Sequence, residues 1–277
     1  VDPTGTPDCS DFTWASSQWV VIDLKTDWYS FNSGDWDATD IWTTDPSGTT
    51  LVPAHGGTPA YCDNVTILNG KTITINANNK TIATLYINNT GILDIKTFTG
   101  HNFGYVYGTG KMRIGSVTFP SGDFSNFVSV TGGTIEYYNI SGTLPTQTIY
   151  NNLLLTNSTA SDITYILRSP ATYIVNGNLS LSKSSTGGVI FQLGNSANLI
   201  NLNIGLSNTL GTTVTIGSGC TLNVGNYNMI HQITIAGNLI NNGTVKLHNR
   251  ASWLDNYYLC ANITTTGAAD VTFTGDY

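Results

Sequence analysis

Short runs of alternating apolar and polar residues recur along most of the chain, paired across an Asn/Gly turn. Early copies are Asn64-Val-Thr-Ile-Leu-Asn-Gly-Lys-Thr-Ile-Thr-Ile75, Thr84-Leu-Tyr-Ile-Asn-Asn-Thr-Gly-Ile-Leu-Asp-Ile95 and Tyr105-Val-Tyr-Gly-Thr-Gly-Lys-Met-Arg-Ile114. Later ones include Tyr173-Ile-Val-Asn-Gly-Asn-Leu-Ser-Leu181, Val214-Thr-Ile-Gly-Ser-Gly-Cys-Thr-Leu-Asn-Val224 and Leu239-Ile-Asn-Asn-Gly-Thr-Val-Lys-Leu247. A period of two marks strands with one buried face, and Asn and Gly suit the positive φ of tight turns. The residues Thr74, Asp94, Arg113 and Glu136 are spaced by 20, 19 and 23 positions, and Asn223 to Lys246 is again 23. Repeats of this size mean stacked units that cannot bury their apolar faces alone. Each unit holds only strands and turns, so the pattern predicts an all-β fold, a right-handed parallel β-helix or solenoid. Its hand follows the preference of parallel crossovers.

The alternation also assigns faces. Ile73 and Ile75 are expected to point inward, and so are Leu93 and Ile95, Met112 and Ile114, Ile135 and Tyr137, Leu179 and Leu181, Leu222 and Val224, and Val245 and Leu247. One outward residue lies within each pair: Thr74, Asp94, Arg113, Glu136, Ser180, Asn223 and Lys246. This register stacks Asp94, Arg113 and Glu136 on consecutive rungs about 4.8 Å apart. The stretch 138–172 is less regular and is expected to hold a longer loop, with Tyr150-Asn-Asn-Leu-Leu-Leu155 as a rung inside it.

Residues 1–62 differ in kind. Residues 1–63 hold five of six tryptophans and five of eight prolines. They read as an N-terminal cap that covers the first rung with aromatic bulk. The β-helix proper is expected over 63–277. The ending Ala269-Asp-Val-Thr-Phe-Thr-Gly-Asp-Tyr277 reads as an unfinished rung, so the stack is expected to continue beyond it.

Charge changes the picture in one respect. Charged residues are only 10% of the 277, and Asn, Thr, Gly and Ser take their place. Residues 1–63 carry ten Asp and one Lys, whereas the rest carry nine Lys/Arg against seven acids. Neither part is a basic patch, so nucleic acid is not an expected partner. No apolar run reaches the roughly 18 residues of a membrane span.

The sharpest constellation is the acid–base–acid stack of Asp94, Arg113 and Glu136. Two carboxylates on one lateral face suit a glycosidase, which needs them about 5–9.5 Å apart. Arg113 between them balances both charges, the wrong setting for a general acid, so a structural charge ladder is the favoured reading. Trp28, Trp36 and Trp42, lying among aspartates, are favoured as cap packing, and they are the candidate glycan-binding residues as the alternative. Asp35, Asp37, Asp40 and Asp45 could ligate calcium but lack the usual loop pattern, and solvated turn carboxylates are favoured. His55, His101, His231 and His248 form no metal-ligand pair. Cys9, Cys62, Cys220 and Cys260 form no C-x-x-C motif, and Cys9–Cys62 with Cys220–Cys260 is the economical disulfide pairing, implying export, with free buried thiols as the alternative.

Gly34-Asp-Trp-Asp-Ala-Thr-Asp-Ile-Trp42, then Pro53, then Asp63-Asn-Val-Thr-Ile-Leu-Asn-Gly-Lys-Thr-Ile-Thr-Ile75, resembles the opening of large secreted surface proteins of gliding and related Bacteroidota. It is also similar to the start of G8 domains. Thr148-Ile-Tyr-Asn-Asn-Leu-Leu-Leu-Thr-Asn157 and Ala269-Asp-Val-Thr-Phe-Thr-Gly275 look like rungs of the same proteins. The resemblance implies a β-helix exported by the type IX pathway, with adhesion or gliding as its role. Its partners would be extracellular surfaces or glycans and the secretion or outer-membrane machinery. No catalytic set comes with it. The expectation is a non-enzymatic segment of a cell-surface adhesin. The alternatives are a polysaccharide-binding or polysaccharide-cleaving β-helix and a subunit of an extracellular filament.

Overall fold

The computed structural model describes residues 25–52, 57–168, 171–194, 199–206, 211–224 and 231–246, and the backbone of Ala261–Thr265 and Val271–Phe273. Among them there is no α-helix, and the strands stack in four sheets. The long sheet runs through ten strands, from Gly34–Asp35 by way of Thr72–Thr74, Ile92–Asp94, Lys111–Ile114 and Thr134–Tyr138 to Val271–Phe273. Its pairs are parallel throughout. This is a parallel β-solenoid, the coarse architecture that the spacing predicts.

The chain winds differently in its two halves. In the first half each coil passes from an N-terminal sheet, which includes Asn64–Ile67, Thr84–Ile87, Asn102–Gly108 and Ser121–Asp123, around a turn into the long sheet. The return path, for example 95–101, forms no strand. From Thr134 onward the coil has three walls. The long sheet is followed by a second wall (Gly142–Thr143, Ile163–Ile166, Val189–Gln192, Thr221–Asn223, Thr244–Lys246). A third wall then closes the coil (Ile149–Tyr150, Ala171–Val175, Ile200–Ile204, His231–Ile235, Ala261–Thr265). The expected longer loop over 138–172 is therefore corrected. That stretch opens the second and third walls, and Asn152–Asn157 is a six-residue strand of the long sheet.

The interior is built from residues in register. Ile73, Leu93, Met112, Ile135, Leu153, Leu179, Val214 and Leu239 form one continuous row down the long sheet, and all are buried. Burying each such side chain contributes about 1.5–3 kcal/mol. Where the third wall appears, tyrosines fill the widened core. Tyr137 and Tyr150 meet edge to face at 6.4 Å, beside Tyr165 and Tyr173. Three of these hydroxyls donate to corner carbonyls: Tyr150 to Gln147, Tyr165 to Thr156 and Tyr173 to Arg168. A buried Tyr hydroxyl usually needs a partner, and the corners supply one for these three.

Asparagine has a matching role at the outer corners. The side-chain oxygen of Asn152 accepts from the Asn178 N–H, and that of Asn178 accepts from the Thr213 N–H. Each of these two Asn side chains thereby satisfies a corner N–H of the next rung, a task that an uncharged amide performs without a buried charge.

Two features of the register go beyond what the alternation assigns. The seven outward residues do not form one ladder. Thr74, Asp94, Arg113 and Glu136 are consecutive on the long sheet, Leu154 follows, and only then Ser180. Asn223 and Lys246 pair with each other on the second wall. The same strand–turn–strand grammar serves different corners, because a turn's chemistry is local and says nothing of which wall it joins. Second, parallel stacking begins before residue 63. Asp27–Ser30 pairs with Asn64–Ile67, and Gly34–Asp35 with Thr72–Thr74. Trp42–Thr43 then lies antiparallel on Asp27–Ser30 and covers that edge.

Candidate functional site

Asp94, Arg113 and Glu136 stand side by side as the alternation predicts. Arg113 donates from Nη1 to Asp94 Oδ2 at 2.8 Å and from Nε to Glu136 Oε2 at 3.1 Å. Neighbouring groups that the sequence reading missed close the network. Lys111 Nζ lies 3.1 Å from Glu136 Oε2, and Thr156 Oγ1 donates to Oε1 at 2.8 Å. Tyr138 donates its hydroxyl to Asp94 Oδ1 at 2.8 Å, and the backbone N–H of Lys96 donates to the same oxygen. The guanidinium lies over the Tyr138 ring at 4.3 Å. Burial, and then donation to Asp94, push the Tyr138 phenol well above its ordinary pKa, so it is a donor and not a base. All four carboxylate oxygens have donors and both acids are buried, so neither is open to a substrate. Lys111, Tyr138 and Thr156 were discoverable in principle, since each lies in register with or beside a ladder position.

Of the two readings of the tryptophans, burial favours packing over a ligand platform. Trp28, Trp36 and Trp42 are 0–1% exposed and offer no ring face to a ligand. Trp42 meets Trp36 edge to face at 5.2 Å and donates Nε1 to the Trp36 carbonyl. Trp28 donates Nε1 to Asp63 Oδ2 at 2.9 Å, and Asp63 also accepts from the N–H groups of Thr26 and Ala60.

The calcium aspartates are dispersed. Asp37 pairs with Lys80, and Asp45 accepts from Ser47, Thr49 and Thr50 within its own turn, which holds its carboxyl far below the usual range. Among the described residues no three His, Cys, Asp or Glu side chains gather as a metal site. Cys220 is a free, buried thiol, so the expected Cys220–Cys260 bond is not made. Its side chain points into the stack at the corner before Thr221–Asn223, and Cys260 lies outside the described residues. Cys62 has φ 74° at the corner before Asp63, and Cys9 lies outside the described residues. His101 and His231 are buried, accepting through Nδ1 from the N–H groups of Lys80 and Ile200 at 3.2 Å. His55 and His248 lie outside the described residues.

Sequence reasoning overlooked the outer face of the N-terminal sheet. Cross-strand register aligns Tyr29, Thr66, Tyr86 and Tyr107 in one row, and Asp27, Asn64, Thr84, Tyr105 and Asp123 in the next. Tyr86 is 45% and Tyr105 56% exposed, while the rings of Tyr105 and Tyr107 stack with centroids 6.4 Å apart. Tyr105 owes its place to Gly104, whose φ is +54°. A Cβ there would lie 1.9 Å from the Ala83 carbonyl oxygen. Beyond Ser121–Asp123 this wall breaks before Ile149–Tyr150 begins. The break is a cleft of about 430 Å³ lined by Phe119, Pro120, Phe124, Val128, Gln147 and Ile149 among others. The only sequence signal for this face was the alternation that sends Tyr86 and Tyr107 outward.

No family model, curated protein or solved structure matches the chain. No helix among the described residues is long and apolar enough to cross a membrane.

Proposed function

We propose that this chain is a non-enzymatic segment of a secreted cell-surface adhesin, a rod whose lateral walls make the contacts. The observation that carries this reading is the contrast between the two outer faces. The ladder on the long sheet is closed on itself, whereas the N-terminal sheet presents exposed tyrosine rings. A catalytic pair needs an accessible acid and base, and these carboxylates are spent on neighbouring rungs. We take the coil to be right-handed, as parallel crossovers prefer. The Trp-rich N-terminal segment is its cap, for which burial of Trp28, Trp36 and Trp42 speaks. Export by the type IX pathway rests on the resemblance of the opening motif alone.

The test is attachment without turnover. Beads coated with the chain should adhere to glycan-bearing cell surfaces, and incubation with pectin, alginate, xylan and chitin oligomers should release no product. Release of product that disappears in Asp94→Ala or Glu136→Ala would replace the adhesin reading with an enzyme.

A further inference from the structure

We propose that the tyrosine rows of the N-terminal sheet form a binding track for a neutral, extended polysaccharide, running along the rod axis into the Phe119/Phe124 cleft. The inference rests on the adhesin reading and gives that reading a site and a ligand chemistry. Four observations carry it.

The first is ring placement. Tyr86 and Tyr107 are direct cross-strand neighbours, and Tyr29 lies in the same row two strands from Tyr86. Strands in a sheet are about 4.8 Å apart, so Tyr86 and Tyr107 stand about one sugar unit of an extended chain apart, and Tyr29 and Tyr86 about two. A sugar's C–H face stacks on an aromatic ring, while Tyr adds a hydroxyl at low conformational cost.

The second is charge. None of the outward residues on these strands is Lys or Arg. A nucleic acid or an anionic glycan needs cations to balance its charge, and these five strands have none to offer. Its acids, Asp27 and Asp123, are engaged with the Asn64 side chain and the Ser125 N–H. The rest is Thr, Asn and Ser, which hydrogen-bond sugar hydroxyls in either sense.

The third is the cleft. Ser121 and Gly122 belong both to the last strand of the track and to the cleft wall. Asp123, on the same strand, is in register with Tyr105, so rows and cleft are continuous. A volume of about 430 Å³ falls in the range of small-ligand sites. Phe119 and Phe124, edge to face at 4.7 Å, give it an aromatic wall.

The fourth is backbone investment. Gly104 adopts a conformation that costs a non-glycine residue free energy, and its result is to set Tyr105 on the surface.

The experiment is depletion of the intact chain by microcrystalline cellulose, chitin and insoluble neutral xylan, with alginate and polygalacturonate as anionic comparisons. At least one neutral polymer should retain the chain, and ~1 M salt should leave retention unchanged because stacking is not screened. The triple variant Tyr86→Ala/Tyr105→Ala/Tyr107→Ala should weaken retention by about tenfold or more, with an unchanged circular dichroism spectrum. Tyr105→Phe should retain most of the binding. Failure of every neutral polymer to retain the chain would overturn the proposal, as would retention by anionic polymers alone or undiminished retention of the triple variant. Concentration-dependent dimerisation abolished by the triple variant would instead assign the face to a second copy of the chain. Coated beads separate the two readings. Adhesion that survives the triple variant rejects the track and keeps the adhesin, whereas no adhesion by the wild-type chain rejects the adhesin itself.

Discussion

Arg113 and Glu136 sit opposite each other on neighbouring strands of the long sheet, with Nε 3.1 Å from Oε2. The same guanidinium holds Asp94 on the other side. Replacing Arg113 by Met keeps the aliphatic bulk but leaves two buried carboxylates facing each other without their shared cation. Loss of one partner of a buried ion pair costs about 3–5 kcal/mol. Because Lys111 and Tyr138 remain, we expect a loss near ~3 kcal/mol, read as a shift in the urea midpoint. An Arg113→Met variant as stable as the wild type would show the ladder to be ornamental.

Asp63 gathers three donors from the first rung: the N–H groups of Thr26 and Ala60 and the Trp28 indole. Asp63→Asn turns one acceptor oxygen into an NH2 group that faces donors. We expect a loss of about 2–3 kcal/mol and faster hydrogen exchange over Asp27–Ser30, while the later rungs keep their protection. Uniform loss of protection along the whole rod would contradict a local role.

His101 and His231 tie stability to pH. Burial lowers both imidazole pKa values from 6.5. Below that value the unfolded chain therefore binds more protons than the folded one. Stability should be full above pH 6.5 and fall as the pH drops through 6.5 towards the folded-state values. Urea titrations between about pH 7.5 and 5.5 should show this slope. A His101→Gln/His231→Gln variant should flatten it, whatever its absolute stability.

Gly104→Ala meets both a backbone conformation unfavourable to alanine and a contact of 1.9 Å with the Ala83 carbonyl oxygen. The strand must shift, which we expect to cost about 2 kcal/mol or more. Tyr105 would move with it. The Gly70→Ala variant is the comparison, since Gly70 has φ +73° but open space around its Cβ direction. It should cost only about 1 kcal/mol. Equal losses would mean that the approach to Ala83 carries no weight.

Cys220 should resist alkylation in the native protein and react fully in denaturant, because it is buried and its thiol pKa is raised by that burial. Non-reducing peptide mapping should find it as a free thiol and should find Cys9 joined to Cys62. A mapped Cys220–Cys260 crosslink would refute the first half, and a free Cys62 the second.

The sequence by itself determined the local grammar of this protein. Alternation with period two, punctuated by Gly and Asn, specifies strands, turns and a buried stripe, because side-chain direction in a strand depends only on neighbours in the chain. Regular spacing of about 20 residues was enough to align Thr74, Asp94, Arg113 and Glu136, since one residue of slip would turn every apolar side chain outward. Tertiary structure alone decided which wall each turn joins, and so where Asn223 and Lys246 leave the ladder of Arg113. It also decided that Trp28, Trp36 and Trp42 are buried while Tyr86 and Tyr105 face solvent. Composition cannot separate these cases, because both kinds of ring serve equally well in a core or on a surface. The difference lies in what the neighbouring rung leaves uncovered, and neighbouring rungs are distant in sequence.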